Sequence, residues 1–435
     1  MKPAAQYKTA QQLLDYIDRS PSPWHAVENT VTMLQQHGFK ALPENEQWRL
    51  TAGKRYYTVR DQSSIIAFVA GTQPPGDGGY RIIGAHTDSP GLRIKPNPVQ
   101  KKGEWLRLGV EVYGSPLLAT FADRDLSLAG RVSVKSGDGP RAFESRLLRF
   151  DESLVRLPNL AIHLNRDVND NGLKFNAQEE LPLIFSLVGE EGAGFKALVA
   201  ERLQVNENEI LAWELAAYDT QPGAFFGTRQ EFIANSQLDN LASCHAALLA
   251  LIESLEKPHN ATQVIAFFDH EEVGSGSAKG ADGNFLDGVL RRITNALDNG
   301  AQAHHQAIAN SYMLSADMAH AWHPNFGNKH EPEHQPIINR GPVIKSNSNQ
   351  RYTTDAHTEA LFVSICETAQ IPCQKFVNRS DLACGSTIGP MSAAQTGIRS
   401  LDVGNPMWAM HSIRESAGAL DHDYMIGAME GFLRC

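Results

Sequence analysis

Five short segments of this chain carry side chains that bind metals or transfer protons. They are His86-Thr-Asp88, Gln237-Leu-Asp239-Asn, Asp269-His-Glu271-Glu272, Ser315-Ala-Asp317 and Met410-His411. Histidine nitrogen and carboxylate oxygen are ligands that zinc takes in catalytic sites, which keep one coordination position open for water. Two metal ions about 3.5–4 Å apart can hold both the attacking and the leaving oxygen of a hydrolysis. These residue types therefore suit a pair of divalent cations.

The adjacent Glu271 and Glu272 offer one metal ligand and one base. Clustered carboxylates without metal repel one another and raise one another's pKa. Hydrolysis also needs a carboxylate that remains free to take a proton from water. Each residue by itself also has a structural interpretation, for example His86 as a buried core histidine and Asp88 or Asp239 as a helix cap. The grouping, rather than any single residue, indicates a functional site.

The elements that precede these segments are typical of an α/β fold. Apolar, strand-like runs are predicted at 81–85, 262–268, 312–316 and 398–404, with helices at 239–256, 285–297, 355–369 and about 419–433. Apolar strands that alternate with helices form a mainly parallel or mixed sheet with helices on both faces. Ligand sites in such sheets form at the carboxyl ends of the strands. We therefore expect one sheet edge to gather the five segments.

The remaining elements predict a second, β-rich region. Residues 5–38 are predicted as two amphipathic helices, the second capped by Ser22 before Pro23. Short alternating segments with frequent turns follow, including predicted strands at 105–113, 126–135 and 159–164. We expect a discontinuous catalytic domain, 1–91 with 237–435, and a β-rich insert at 92–236.

The composition argues against several classes of protein. The 435 residues carry 39 Lys and Arg against 49 Asp and Glu, a net charge of −10. This balance disfavours nucleic-acid and anionic-membrane partners, which need a concentrated basic face. No run of 18 apolar residues and no apolar signal segment is present, so we expect neither a transmembrane helix nor secretion. Five cysteines without a CxxC pair fit a reducing cytoplasm.

One further histidine motif is a poor candidate for a metal site. His330-Glu-Pro-Glu-His334 has the letters of the H-E-x-x-H zinc motif, which requires both histidines on one helical face. Pro332 lies between them, and proline inside a helix costs about 3 kcal/mol or more. We predict a loop here. The sequence also lacks G-x-S-x-G, a Walker A loop and G-x-G-x-x-G, which leaves no candidate serine nucleophile or nucleotide loop.

Longer segments around the motifs occur in a recognisable order. They are HTDSPGLRIKP, QLDN, DHEEVGSGSAKGA, SADMAHAWHPN, GPVIKSNSNQRY, GSTIGP and MHSIRE. Together they resemble the aspartyl aminopeptidase family of co-catalytic dizinc metallopeptidases, over essentially the whole chain. The resemblance implies a zinc exopeptidase-like fold and removal of N-terminal Asp or Glu from peptides with a free N-terminus. It also implies two Zn²⁺ per subunit, although Mn²⁺ or Co²⁺ suits the same ligands.

The resemblance also implies a role for each metal-binding side chain. His86 and Asp317 are expected to bind one zinc ion, and Glu272 and His411 the other. Asp239 is expected to bridge the two ions. All five residues match the family's motifs at their positions in this sequence.

Four further residues receive roles from the resemblance. Glu271 is implied as the general base, and Asp88 as the carboxylate that orients His86. Lys345 is the candidate for holding an acidic N-terminal side chain, with a solvated surface lysine as the alternative. His163 is implied to reach a neighbouring subunit's active site and stabilise the oxyanion there. A zinc ligand and a buried strand histidine are the alternatives for His163.

The resemblance implies self-association as well. The insert is expected to form dimers, which assemble into a homododecamer that encloses the active sites. Another co-catalytic zinc hydrolase, such as a neutral aminopeptidase, a dipeptidase or an amidohydrolase, remains an alternative because it shares the metal ligands. A non-catalytic scaffold is disfavoured, since a structural zinc site is closed and needs no spare base such as Glu271.

Overall fold

The structure, a computed structural model, describes residues 7–189, 194–298 and 300–435. Within these residues the helices are α1 Lys8–Asp18, α2 Pro23–Gln36, α3 Pro75–Gly78, α4 Val168–Asn171, α5 Phe195–Leu203, α6 Leu238–Glu253, α7 Phe285–Leu297, α8 Ala303–Ala309, α9 Ala356–Thr368, α10 Ile388–Thr396 and α11 Asp421–Arg434. The strands are β1 Lys40–Ala41, β2 Arg55–Arg60, β3 Ser64–Val69, β4 Tyr80–His86, β5 Gly91–Lys102, β6 Trp105–Tyr113, β7 Leu126–Lys135, β8 Phe143–Arg149, β9 Leu183–Leu187, β10 Ile210–Asp219, β11 Ala224–Phe226, β12 Phe232–Asn235, β13 Thr262–Phe268, β14 Tyr312–Ala316, β15 Ala319–His320, β16 Val343–Lys345, β17 Gln374–Phe376, β18 Arg399–Gly404, β19 Pro406–Trp408 and β20 Glu415–Gly418.

A nine-stranded mixed sheet forms the centre of the catalytic region. Its strand order is β1-β2-β3-β13-β4-β14-β18-β16-β17, and β13, β4, β14 and β18 run parallel. Strand β13 is buried along its whole length. Its Ile265 and Phe267 pack in one core with α6, α9 and α11, whereas Val264 and Phe268 pack in another with α7. Because successive side chains of a strand point to opposite faces, an apolar run of this kind predicts helices on both faces, as the structure has them.

Two further sheets lie outside the central one. A six-stranded antiparallel sheet, β8-β7-β10-β5-β6-β9, is built from residues between Gly91 and Asp219. A five-stranded sheet, β11-β12-β20-β19-β15, joins 224–235 to strands from the C-terminal part of the chain, 319–320, 406–408 and 415–418. The predicted insert thus contributes strands to two sheets. Its boundaries at 92 and 236 stay predictions.

Two local predictions differ from the structure. The sequence predicts a strand at 159–164, but the segment forms loop and turn backbone, and its side chains Leu160, Ile162 and Leu164 are exposed. Alternating apolar residues form a strand only where a partner strand pairs with them, and 159–164 has none in the described chain. Ser22 precedes α2 as expected, but its hydroxyl bonds to His25 Nδ1 at 2.7 Å instead of capping a backbone N–H. Residues 5 and 6 of the first predicted helix lie outside the described residues.

The central helix has the length and composition of a membrane span. The helical stretch Leu238–Glu256 has a mean hydropathy of 1.2 over an 18-residue window, of which 78% is buried inside the protein. It packs against β4, β13 and α11. A helix that is apolar all round is expected in the core of a large protein as well as in a bilayer.

Candidate metal centre

The carboxyl ends of the parallel strands bring the predicted ligands to one edge of the central sheet. His86 ends β4 and stands level with Phe268, the last residue of β13. Asp317 directly follows β14, which runs parallel to β4 on its other side. Adjacent parallel strands therefore deliver His86, Asp317 and the Glu271-Glu272 turn to the same place. The N-terminal turn of α6 adds Asp239.

Three groups of three possible ligand side chains meet at this edge; two of them share Asp239, and the third consists of His86, Glu271 and Glu272. In the first trio (His86, Asp239, Asp317), His86 Nε2 lies 3.5 Å from Asp239 Oδ1 and 3.6 Å from Asp317 Oδ1. In the second trio (Asp239, Glu272, His411), His411 Nε2 lies 3.4 Å from both Asp239 Oδ2 and Glu272 Oε2. The ligand atoms of each trio all lie within 4.8 Å of one another. Asp239 thus turns one oxygen to each trio.

The residues present fit divalent cations. Asp239 Oδ1 and Glu272 Oε1 are buried without a hydrogen-bond partner. A buried polar atom left without a partner costs about 1–3 kcal/mol, and more when it is charged. A cation in each trio would satisfy these oxygens, and the donor set of imidazole and carboxylate is one that zinc accepts.

The electrostatics of the site show the same need for positive charge. Burial raises the pKa of Glu271 to about 8, and burial together with the nearby Asp239 raises the pKa of Glu272 well above its ordinary value. Burial works to lower the pKa of His86, but the carboxylates bonded to it, with Asp239 first, outweigh burial and raise that pKa well above its usual range. Without metal the cluster therefore retains protons at neutral pH, and metal binding would release them.

Asp88 contacts more of the site than the sequence indicated. Its Oδ1 accepts the backbone N–H of Glu271 and its Oδ2 that of Glu272, both at 3.1 Å. Tyr113, from the last position of β6, donates its hydroxyl to Oδ2 at 2.7 Å. His86 Nδ1 lies 3.5 Å from Oδ1 and 3.0 Å from the Asp88 carbonyl oxygen. Asp88 therefore holds the turn that carries both glutamates, in addition to its contact with His86.

The structure excludes one alternative interpretation for each of Lys345 and His163. Lys345 is only 2% exposed, and its Nζ lies 3.3 Å from Asp317 Oδ2 and 3.1 Å from the Met318 carbonyl oxygen. It is therefore not a solvated surface lysine. His163 lies in an exposed turn, so it is not a buried strand histidine either, and neither trio contains it.

The predicted loop at His330–His334 is confirmed. A short 3₁₀ helix ends at Lys329, and His330 Nε2 accepts the backbone N–H of His323. His334 Nδ1 instead contacts Glu331, at 2.5 Å. His330 lines a cavity of about 340 Å³ that reaches Met410, the residue before His411.

Two residues near the ligands were missed from the sequence. Tyr113 carried no signal, because a tyrosine at the end of a strand is common in any sheet. The sequence contained a weak indication for Glu415, since it is a carboxylate four residues after His411 in the MHSIRE segment. The structure buries Glu415 and places its oxygens against the backbone N–H groups of Asp239 and His411.

Comparison with known proteins decides the family. The profile of the family described as aminopeptidase I zinc metalloprotease (M18) matches residues 16–433. This chain belongs to the M18 family. It is accordingly a zinc metalloaminopeptidase, as the resemblance predicted, and the zinc exopeptidase-like fold is confirmed.

Individual proteins match over nearly the whole chain. The probable M18 family aminopeptidase 2 of Ectopseudomonas mendocina (strain ymp) is 49% identical over 427 residues, 97% of each chain. A solved structure of the Ape4 and Nbr1 complex superposes with a TM-score of 0.95 at 38% identity, covering 100% of this chain and 88% of that chain. The S. cerevisiae mApe1 dodecamer has a TM-score of 0.86 at 27% identity, covering 98% of this chain and 96% of that chain.

Proposed function

We propose that this aminopeptidase removes N-terminal Asp or Glu from peptides, using two zinc ions per subunit. The observation that carries the two-ion part is Asp239, whose two carboxylate oxygens face His86 and His411 separately. His86 and Asp317 would hold one ion, Glu272 and His411 the other, with Asp239 shared. When bound, the ions supply positive charge that polarises a carbonyl and lowers the pKa of water. Mn²⁺ or Co²⁺ would serve with the same oxygen and nitrogen ligands.

Glu271 is the general base in this proposal. Neither of the trios that share Asp239 uses its carboxylate. Asp88 fixes its backbone, so its side chain is held close to the ligands. Glu271 takes one proton from the attacking water and transfers it to the leaving amine nitrogen as the peptide C–N bond breaks. Positioned acid–base groups of this kind contribute about 10²–10⁴-fold to a rate.

The preference for an acidic N-terminal residue rests on Lys345. A chain with a net charge of −10 repels an anionic substrate at long range, so acidic selectivity needs a local cation. Lys345 provides one beside the ligand Asp317. A neutral aminopeptidase is the alternative, since Asp317 already pairs with this lysine.

A panel of peptides, assayed with zinc-loaded protein, distinguishes an acidic from a neutral aminopeptidase. Peptides headed by Asp, Glu, Leu or Lys are compared, each with a free and an N-acetylated terminus. We expect release of Asp and Glu from the free peptides only, because an aminopeptidase binds the free amine. Cleavage led by Leu or Lys would refute the acidic preference and retain the aminopeptidase, whereas cleavage of acetylated peptides would indicate an amidohydrolase.

Lys345→Gln extends this panel. We expect kcat/KM for Asp-headed peptides, relative to that for Leu-headed peptides, to fall about 10- to 100-fold. This is the effect expected when a hydrogen bond to a charged group is lost. Zinc content is measured in parallel because Lys345 contacts Asp317. Lys375→Gln, which removes an exposed lysine paired with Glu359, is the matched control and should leave the ratio unchanged.

We also propose that the subunits form dimers through the insert and that dimers form a homododecamer. The solved mApe1 relative is a dodecamer. In this chain Leu160, Ile162 and Leu164 expose 46–74% of their surface around His163, and an apolar patch of this kind is typical of a protein interface. His163 would then act in the partner subunit, where its imidazole N–H stabilises the oxyanion.

Mixed oligomers test whether His163 acts across the interface. His163→Ala and Glu271→Gln subunits, each inactive alone, are co-expressed with different tags and purified together. If His163 serves the neighbouring site, random dimers with twofold symmetry should recover about a quarter of wild-type activity. An inactive mixture would place His163 in its own subunit's site, and an active His163→Ala protein would remove it from the mechanism.

The remaining expectations are a cytoplasmic location and the absence of nucleic-acid and membrane partners. All five cysteines are free in the structure, with Cys244 and Cys366 buried. Free thiols persist in a reducing compartment, which supports the cytoplasmic proposal.

A further inference from the structure

Glu415 joins two segments that each supply a metal ligand. It begins β20 and is only 2% exposed. Its Oε2 accepts the backbone N–H of Asp239 at 3.0 Å, and its Oε1 accepts that of His411 at 2.7 Å. Asp239 and Glu415 lie 176 positions apart in the sequence. One buried side chain therefore sets the distance between the start of α6 and the His411 turn.

We infer that Glu415 is a positioning residue of the metal centre, which fixes the shared ligand Asp239 relative to His411. Glu415 lies behind the ligands and acts through their backbone, as partners of metal ligands commonly do. The inference rests on the proposed two-zinc function. It goes further by assigning the geometry of the second trio to a residue outside it.

The backbone at His411 needs an external constraint. His411 has φ +68° and Ala409 has φ +55°, a left-handed conformation that non-glycine residues seldom adopt. Such conformations persist when the surroundings over-determine them. Glu415 binds the His411 N–H, and the Ser115 carbonyl oxygen lies 3.0 Å from His411 Nδ1. The first contact fixes the backbone, and the second fixes the ring with Nε2 facing the centre.

A carboxylate is the side chain that this position requires. Two N–H donors converge on Glu415, and a carboxylate offers an acceptor oxygen to each. Glutamine has the same shape, but its NH₂ group would face one of the two N–H donors. Glu415→Gln therefore loses one hydrogen bond and sets donor against donor, with no change in size.

Asp421 provides a matched control. It is also fully buried, and it accepts the backbone N–H groups of Asn339 at 2.6 Å and Gly341 at 2.8 Å. Neither of those residues belongs to the two trios. Asp421→Asn therefore imposes the same chemical change on a buried carboxylate that holds no ligand.

The test is zinc titration of the metal-free proteins against a chromogenic chelator, with folding checked by circular dichroism and assembly by sedimentation. We expect two ions per subunit in the wild type and in Asp421→Asn. In Glu415→Gln we expect the affinity for one ion to fall about 10- to 100-fold, the usual cost of losing a residue behind a ligand. Wild-type affinity for both ions in Glu415→Gln would overturn the inference.

A shorter side chain keeps the test decisive if Glu415→Gln does not fold. Glu415→Asp retains both oxygens but is one methylene too short to reach both N–H groups. Weakened binding of one ion in this variant supports the inference, and unchanged binding refutes it. Binding of fewer than two ions by the wild type would instead refute the two-zinc proposal, so the two failures are distinguishable.

Discussion

Replacing Glu271 by Gln should lower kcat by about 10²–10⁴-fold, the contribution of a positioned general base, while zinc remains bound. The glutamine side chain has the same size as glutamate but cannot take a proton from water. The two trios that share Asp239 do not use Glu271, so both should keep their ligands. The measurement is kcat on an Asp-headed peptide, together with zinc content by atomic emission.

Glu272→Gln is the matched control for this prediction. The two glutamates are adjacent, both are held by Asp88 through their backbone N–H groups, and only Glu272 belongs to the second trio. We expect Glu272→Gln to lose zinc affinity together with activity. Undiminished turnover in Glu271→Gln would exclude Glu271 as the base, and loss of zinc from that variant would make it a ligand.

Removing zinc should cause a second large effect, a loss of stability that deepens as the pH rises from about 5 to about 8. Burial holds the folded-state pKa of Glu271 at about 8, above the ordinary 4.5, and the pKa of Glu272 is raised as well. A folded state that binds protons more tightly than the unfolded chain is most stable at low pH. The stabilisation is present below about pH 4.5 and is lost as the pH passes through the folded pKa.

The other shifted groups of the centre do not reverse this trend. Burial acts to lower the pKa of His86 and His411, but the carboxylates around them, with Asp239 the main one for each, raise both values overall. These histidines therefore also lose their stabilising contribution as the pH rises. Burial acts to raise the pKa of Asp88 and Asp239, but their bonds to histidines lower both values. Their stabilisation is already fully present above pH 4 and stays constant in this window.

Zinc should raise the melting temperature and offset the loss of stability at higher pH, because its binding releases protons and therefore strengthens as the pH rises. Free zinc at 1,000 times its Kd stabilises by about 4 kcal/mol per site. Two sites correspond to roughly 9 °C, since an unfolding entropy of about 2.1 cal/mol/K per residue over 435 residues gives about 1.1 °C per kcal/mol. The check is a series of melting curves from pH 5 to pH 8, with a chelator and with added zinc. A metal-free protein whose melting temperature rises with pH would contradict the assigned shifts.

The sequence by itself determined the elements and the chemical class of the site. The run 262–268 became β13 and the segment 285–297 became α7, because local hydrophobic periodicity reports which faces are buried. His86 and Asp317 could be assigned to one sheet edge, since parallel strands end on the same side. Family motifs supplied the chemistry, which membership of M18 supports.

Only the tertiary structure decided how the side chains pair. Glu415 on Asp239, Tyr113 on Asp88 and Lys345 on Asp317 are contacts between different elements of the chain, separated by 176, 25 and 28 positions. The exposed turn at His163 is a further case, because an alternating pattern predicts a strand whether or not a partner strand is available. Sheet order and the crossover connections determine which distant segments meet. Local patterns report the burial of each residue, but not the neighbour that buries it.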